Sequence, residues 1–229
     1  MKSELGRCIG LIGGLGVGAT VHYYQELAKA HAARGRVLNL AMVHANVNHS
    51  LALVQAGDRA GLAEYLAGLI TRLENAGAEF AVIPAVTPHF CIAELLHLSP
   101  LPIVNMVEEL QRAVDARSLR RVALFGTRFT LQSGLFGLLQ RVEIITPPED
   151  EIDFVHQTYM HLVNANAGSL EQRESLSHLA HLLMERDAVE AVILAGTDLA
   201  LLFNENNTDF PHIDCARLQL DAIVRRALE

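Results

Sequence analysis

The chain has 229 residues, 51% hydrophobic and 19% charged, with a formal charge of −8. This composition excludes a disordered chain, and the length allows one large α/β domain or two small ones. No basic run exceeds Arg120-Arg121 or Arg225-Arg226, which excludes a nucleic-acid footprint, and no apolar run is long enough to span a bilayer.

The opening Met1–Arg7 lacks the apolar core and small-residue cleavage site of a secretory leader, so a cytoplasmic protein is expected. Arg7–Ile12 then reads as a strand stopped by Gly13-Gly14, and Ala19–Ala33 as a helix. Val37–Val43 is a second strand and Ala60–Ala76 a second helix. Phe80–Ile83 is a third strand, Pro88–Leu96 a helical stretch, Pro102–Asn105 a fourth strand and Val107–Ala116 a helix. Strand and helix alternate, which is the pattern of a parallel sheet covered by helices.

The series restarts near Asp115-Ala116-Arg117-Ser118. Arg121–Phe125 is a strand, Leu131–Leu139 a helix and Val142–Ile145 a strand closed by Pro147-Pro148. Glu151–Asn164 and Leu170–Arg186 are helices, Ala191–Leu194 is a strand, and Ile213–Leu228 a final helix. The expected fold class is therefore α/β, with two pseudo-symmetric parallel-sheet units. Residues 1–115 with 212–229 form the first and 116–211 the second. Ligands of open α/β sheets bind at strand C-termini, which places the expected site in a cleft between the units.

Two matching stretches carry the chemistry. Val82-Ile83-Pro84-Ala85-Val86-Thr87-Pro88-His89 and Val192-Ile193-Leu194-Ala195-Gly196-Thr197-Asp198-Leu199 are apolar runs that break into small residues and a threonine. That is how a buried strand delivers a polar group. Gly14-Leu15-Gly16-Val17-Gly18-Ala19 fits a dinucleotide-binding pattern, but Asn39–Asn48 contains no acid to hold a ribose, so the loop is expected to receive a smaller anion. Thr87 can donate to a carboxylate. His89 is either an acid–base group or a helix-start residue with its ring on backbone. Asp198 is a proton donor or a helix cap. Gly126, Thr127 and Thr130 form another anion-friendly loop. Asn46, Asn48 and His49 line the mouth or belong to the polar surface.

Cys8, Cys91 and Cys215 are odd in number, widely separated and without zinc spacing, which fits a reducing compartment. Cys91 is either a reactive thiol or a small buried hydrophobe. His178 and His181 are three apart, a spacing shared by a metal pair and a solvated helix face.

At these residues the sequence resembles the aspartate/glutamate racemase superfamily, in its branch of aspartate and broad-specificity amino-acid racemases. The stretch Ile9-Gly10-Leu11-Ile12-Gly13-Gly14-Leu15-Gly16-Val17-Gly18-Ala19-Thr20-Val21-His22-Tyr23-Tyr24 is similar to that family's opening. Leu124-Phe125-Gly126-Thr127-Arg128-Phe129-Thr130 resembles its central loop, and Phe210-Pro211-His212-Ile213-Asp214 its closing motif. The resemblance implies a cofactor-independent, metal-free enzyme, often a homodimer, in which two cysteines face opposite sides of a substrate α-carbon.

Laid on this chain, the first cysteine falls at Ala85 and the second at Gly196. The family's carboxylate-holding Asn falls at Val86, and its histidine on the last helix at Gln219. A methyl and a hydrogen cannot move protons, so the resemblance implies an altered mechanism with His89, Asp198 and Cys91 as candidate catalytic groups. Gly14, Leu15, Asn48, Thr87, Thr127, Thr130 and Thr197 are the candidate substrate contacts, and Arg128 the one cation in these loops. The partner is a small carboxylate or amino acid, with neither nucleic acid nor membrane. Three readings follow: an isomerase on a small acidic amino acid; a lyase such as a decarboxylase or dehydratase; and a carboxylate-binding protein without turnover.

Overall fold

A computed structural model describes residues 5–229. The reading of the opening segment as free of a leader falls partly on Met1–Glu4, which lie outside the described residues. The chain forms two compact units. One reaches to Met106 and takes in Gln219–Glu229; the other is Val107–Leu218.

In the first unit β1 (Ile9–Gly13) lies between β2 (Leu40–His44) and β3 (Phe80–Val82) in a parallel sheet of order β2-β1-β3. Ile9 is in register with Leu40 on one side and Phe80 on the other. All five residues of β1 are buried, because a central parallel strand is covered on both faces. Helices α1 (Val17–Ala32), α3 (Arg59–Asn75) and α4 (Ile92–Leu98) belong to this unit. Leu62, Leu66, Ile70 and Leu73 recur at helical spacing on α3 and are fully buried, each worth about 1.5–3 kcal/mol of burial. Asp58 caps this helix by accepting from the Gly61 N–H at 2.8 Å.

The second unit holds a parallel sheet of order β5-β4-β6-β7, formed by β4 (Arg121–Gly126), β5 (Glu143–Ile145), β6 (Ala191–Ala195) and β7 (His212–Asp214). Its helices include α7 (Glu149–Ala165) and α8 (Leu170–Asp187). The latter begins in a reciprocal capping box between Ser169 and Gln172. Both sheets are parallel, as the alternation of strand and helix predicts. Among the described residues no helix is long and apolar enough to cross a membrane.

Several elements depart from the sequence reading. Helix α2 (Val47–Gln55) follows β2 in a stretch between the second strand and the second helix to which the sequence reading assigns no element. Asn46 caps it, and only Ser50 and Val54 are buried; Val47, Leu51 and Val54 recur at helical spacing, but over only 9 residues, too short a stretch to announce a helix. Pro102–Asn105 makes only an isolated bridge, Ala81 with Ile103. Pro102 has no N–H to extend the ladder, and α5 (Met106–Ala116) starts at once. In the second unit the stretch Leu131–Leu139 is not one helix. Helix α6 (Arg128–Gln132) stops, and Gly134, Leu135 and Phe136 all take positive φ. Strand β7 and α9 (Cys215–Leu228) replace a helix starting at Ile213, because Ile193 pairs with Ile213 and Asp214 Oδ1 accepts from the Ala216 N–H at 2.8 Å.

Candidate functional site

The candidate residues lie in loops at the C-terminal ends of the strands. In the first unit β1 runs into Gly13-Gly14. Gly14 has φ +84°, and a Cβ there would lie 2.6 Å from the His44 ring. Its N–H donates to Thr20 Oγ1 at 3.1 Å, and that hydroxyl donates to the Gly16 carbonyl at 2.6 Å. Thr20 therefore holds the loop, and Leu15, half-buried, follows at its turn. Gly16 precedes α1 without any side-chain cap, leaving the first-turn N–H groups of that helix directed to its N-terminal end. Asn48 is exposed on the first turn of α2. Asn46 is occupied as the cap of that helix, accepting from the His49 N–H at 3.2 Å.

After β3 the chain passes Ala85 and Val86 and forms a 3₁₀ turn, Thr87–Cys91. Thr87 is half-buried. His89 is completely buried, and both ring nitrogens meet backbone: Nδ1 donates to the Ala85 carbonyl at 2.8 Å, and Nε2 accepts from the Met106 N–H at 3.4 Å. Burial pushes its pKa down to about 4. The Cys91 Sγ donates to the Pro88 carbonyl at 3.4 Å, and burial, with Glu94 nearby, pushes the thiol up to about 12. A thiol so placed is not a thiolate near neutrality. Arg59 of α3 anchors the turn, donating to the Phe90 carbonyl at 2.7 Å with its guanidinium 4.1 Å from the Phe90 ring centre. Gln219 is also buried, accepting from Tyr23 Oη and donating to the Val104 carbonyl, each at 2.9 Å.

The environment of His89 makes a pH prediction. Its folded pKa lies below the ordinary 6.5, so between about 6.5 and about 4 the unfolded chain holds a proton that the folded one does not. Stability therefore rises with pH through that window and is lost as pH falls through it, by on the order of 3 kcal/mol. Urea midpoints at pH 7 and pH 4.5 should diverge more in the wild type than in His89→Gln. Equal pH slopes in the two proteins would remove this account.

In the second unit β4 and β6 end side by side. A Cβ on Gly126 would lie 2.5 Å from the Ala195 carbonyl oxygen, so only glycine admits this approach. Thr127 caps α6, its Oγ1 accepting from the Thr130 N–H at 3.2 Å and lying 2.9 Å from Thr130 Oγ1. Thr130 is fully buried and braces the loop from inside. Arg128 is paired with Glu149 and Asp153. Its backbone N–H donates to His156 Nδ1 at 3.2 Å, and burial and the Arg128 charge hold the His156 ring below its usual pKa.

β6 leads through Gly196 into a 3₁₀ turn, Thr197–Leu201, whose Thr197 and Asp198 are buried. Gly196 stands at the N-cap without a side-chain bond, and the Asp198 carboxylate accepts instead from Tyr159 Oη at 3.2 Å. Burial and that carboxylate hold the Tyr159 phenol well above its ordinary pKa, so it is the donor. The ring of Tyr159, on α7, fills the space beside Gly196.

Tyr159 and His44 escape sequence reasoning. Tyr159 shares a buried face of α7 with Ile152, Val155 and Leu162, so its spacing is that of a core aromatic; a bare glycine at 196 is the only hint of its neighbour. His44 ends a strand, a signal too common to single it out. No group of three or more metal-ligating side chains occurs among the described residues, and His178 and His181 stand on α8, with His181 Nε2 3.4 Å from Asp209 Oδ2.

A family model described as Asp/Glu/Hydantoin racemase matches residues 12–223. Solved structures share the fold. A candidate Asp/Glu racemase from Yersinia pestis is 22% identical, with a TM-score of 0.82 over 97% of this chain and 100% of that one. An aspartate racemase homologue from Pyrococcus horikoshii OT3 is 22% identical, with a TM-score of 0.78 over 96% of this chain and 99% of the other. The aspartate racemase of Picrophilus torridus is 20% identical, with a TM-score of 0.75 over 97% and 94%.

Proposed function

The chain belongs to the Asp/Glu/hydantoin racemase family, and from that premise we propose that it acts on small amino acids or related carboxylates by moving the α-proton, with Asp198 as the group that takes and returns it. The carboxylate of Asp198 accepts the proton as the C–H bond breaks. The bonding pair passes into the substrate's own carboxyl group, and the reverse transfer restores the C–H bond. The observation that carries this reading is the buried Asp198 carboxylate, held by a phenol O–H at the end of β6. The alternatives in the first unit, His89 and Cys91, are both bonded to backbone. Thr127 and Thr197 are the hydroxyls we assign to carboxylate binding in the second unit, and Thr87, Asn48 and the Gly14-Leu15 backbone are the contacts we assign in the first. No step in this proposal uses a cofactor.

A single base has a stereochemical consequence. With one base the carbanion is reprotonated mostly on the face it came from and inverts only when it turns within the site, whereas a pair of bases on opposite sides inverts it at every exchange. In D2O with L- and D-aspartate or glutamate, loss of the α-proton NMR signal should therefore outpace any change in optical rotation. Exchange and inversion at equal rates would sink the single-base mechanism. A signal that never changes would sink the proton-transfer reading altogether and favour a binder. That second reading draws support from the bonded state of His89 and Cys91, and predicts ligand-dependent thermal stabilisation without turnover.

We also place the protein in the cytoplasm, on its three unpaired, buried cysteines, and assign it a homodimer. Val17, Val21 and Tyr24 recur at helical spacing on α1 and are 54%, 49% and 50% exposed, an apolar stripe of the kind that marks an interface. A sedimentation mass equal to one chain would remove the dimer.

A further inference from the structure

Gly196 and Tyr159 are linked more tightly than a glycine and a core aromatic need be. A Cβ at position 196 would lie 2.4 Å from Tyr159 Cε2, 2.8 Å from Cζ and 3.0 Å from Cδ2. The φ of Gly196 is −152°, an extended value open to any residue, so the backbone does not require glycine there. The ring does. It occupies the volume into which any side chain at 196 would project. From the same ring the phenol oxygen reaches Asp198 Oδ2 at 3.2 Å, and both residues are buried, at 8% and 2% exposure.

We infer that Tyr159 is a positioning residue that has taken over the side-chain space of position 196 and from there fixes the orientation of Asp198. The positioning half of this inference rests on the reading that Asp198 moves the proton; the space-sharing half does not. The two halves have separable consequences. A tyrosine that only packs would tolerate Phe without functional change. A tyrosine that replaces a side chain makes any group at 196 intolerable until the ring is removed.

Four variants test it: Tyr159→Phe, Tyr159→Ala, Gly196→Cys and the double variant Gly196→Cys/Tyr159→Ala. Gly196→Cys should lower Tm by about 4–10 °C, the usual effect of forcing atoms into a filled core in a chain of this size. Added to Tyr159→Ala, the same cysteine should cost almost nothing, because the ring it met has gone. Equal losses from Cys in both backgrounds would overturn the exchange of space. Tyr159→Phe keeps the ring but withdraws a donor from a buried carboxylate, so Tm should fall by about 2–8 °C. The α-proton exchange rate at saturating substrate should fall about 10-fold, the loss of roughly one charge-assisted hydrogen bond, with half-saturation unchanged. An unaltered maximal rate, or a rise in half-saturation alone, would overturn the positioning role. A wild-type protein silent in D2O would overturn the proton-transfer reading and the positioning role with it, and the melting cycle would still decide whether Tyr159 holds the space of position 196.

Discussion

Asp198→Asn is expected to slow exchange of the substrate α-proton by ~10²–10⁴-fold, the usual contribution of a positioned acid–base group. Asparagine has nearly the volume of aspartate, and its amide oxygen can still accept from Tyr159 Oη, which donates to Asp198 Oδ2 at 3.2 Å. What it cannot do is hold a proton. Fold and substrate contacts should therefore persist, with Tm close to wild type, while the chemistry stops. The measurement is the α-proton NMR signal in D2O, followed for both proteins with L- and D-aspartate. Equal exchange in wild type and variant would show that another group carries the proton, and would return attention to His89. Its Nε2 receives only a 3.4 Å bond from the Met106 N–H, the longer of its two.

Gly126→Ala is expected to be the most damaging of the small substitutions near the strand ends. The added methyl would meet the Ala195 carbonyl oxygen at 2.5 Å and its carbon at 3.0 Å. These are backbone atoms of β6, in register with Gly126 across a parallel ladder. Neither can rotate away as a side chain would, so β4 and β6 must part at the point where Thr127 and Gly196 begin. The cost is about 3 kcal/mol, at the upper end for overpacking, or about 6–12 °C in Tm for a chain of this length. Gly68→Ala is the control. Gly68 lies within α3, and nothing stands within 4 Å of a Cβ there, so the same substitution should stabilise the helix by up to about 1 kcal/mol. Similar urea midpoints for the two variants would mean that the close approach at Gly126 is not a constraint.

Much of this molecule is legible in the residues in order. Apolar runs such as Ile9–Gly13, Arg121–Gly126 and Ala191–Ala195 announce buried parallel strands because both their faces are covered, and periodic leucines announce α3. The break from each strand into glycine or threonine marks the loops at their ends. The motifs in those loops also point to the family. Helix α2 and the interrupted Leu131–Leu139 were not legible, since the first carries its apolar spacing over only 9 residues and the second has such spacing without continuous helix.

What the sequence by itself determined is therefore the kind of element at most positions, the parallel character of the sheets and the places where strands hand over to loops. These depend on local periodicity and on chain punctuation, and both are written in neighbouring residues. The tertiary structure alone decided what each candidate side chain does. His89 and Asp198 stand in similar stretches, yet one meets two backbone groups and the other a phenol. Arg128 reads as a free cation in its loop and is held by Glu149 and Asp153 from α7. Tyr159 reads as core and lies against Gly196. The physical reason is common to all three: a pattern records which face a residue turns to the interior, whereas its chemistry depends on partners brought near from distant parts of the chain.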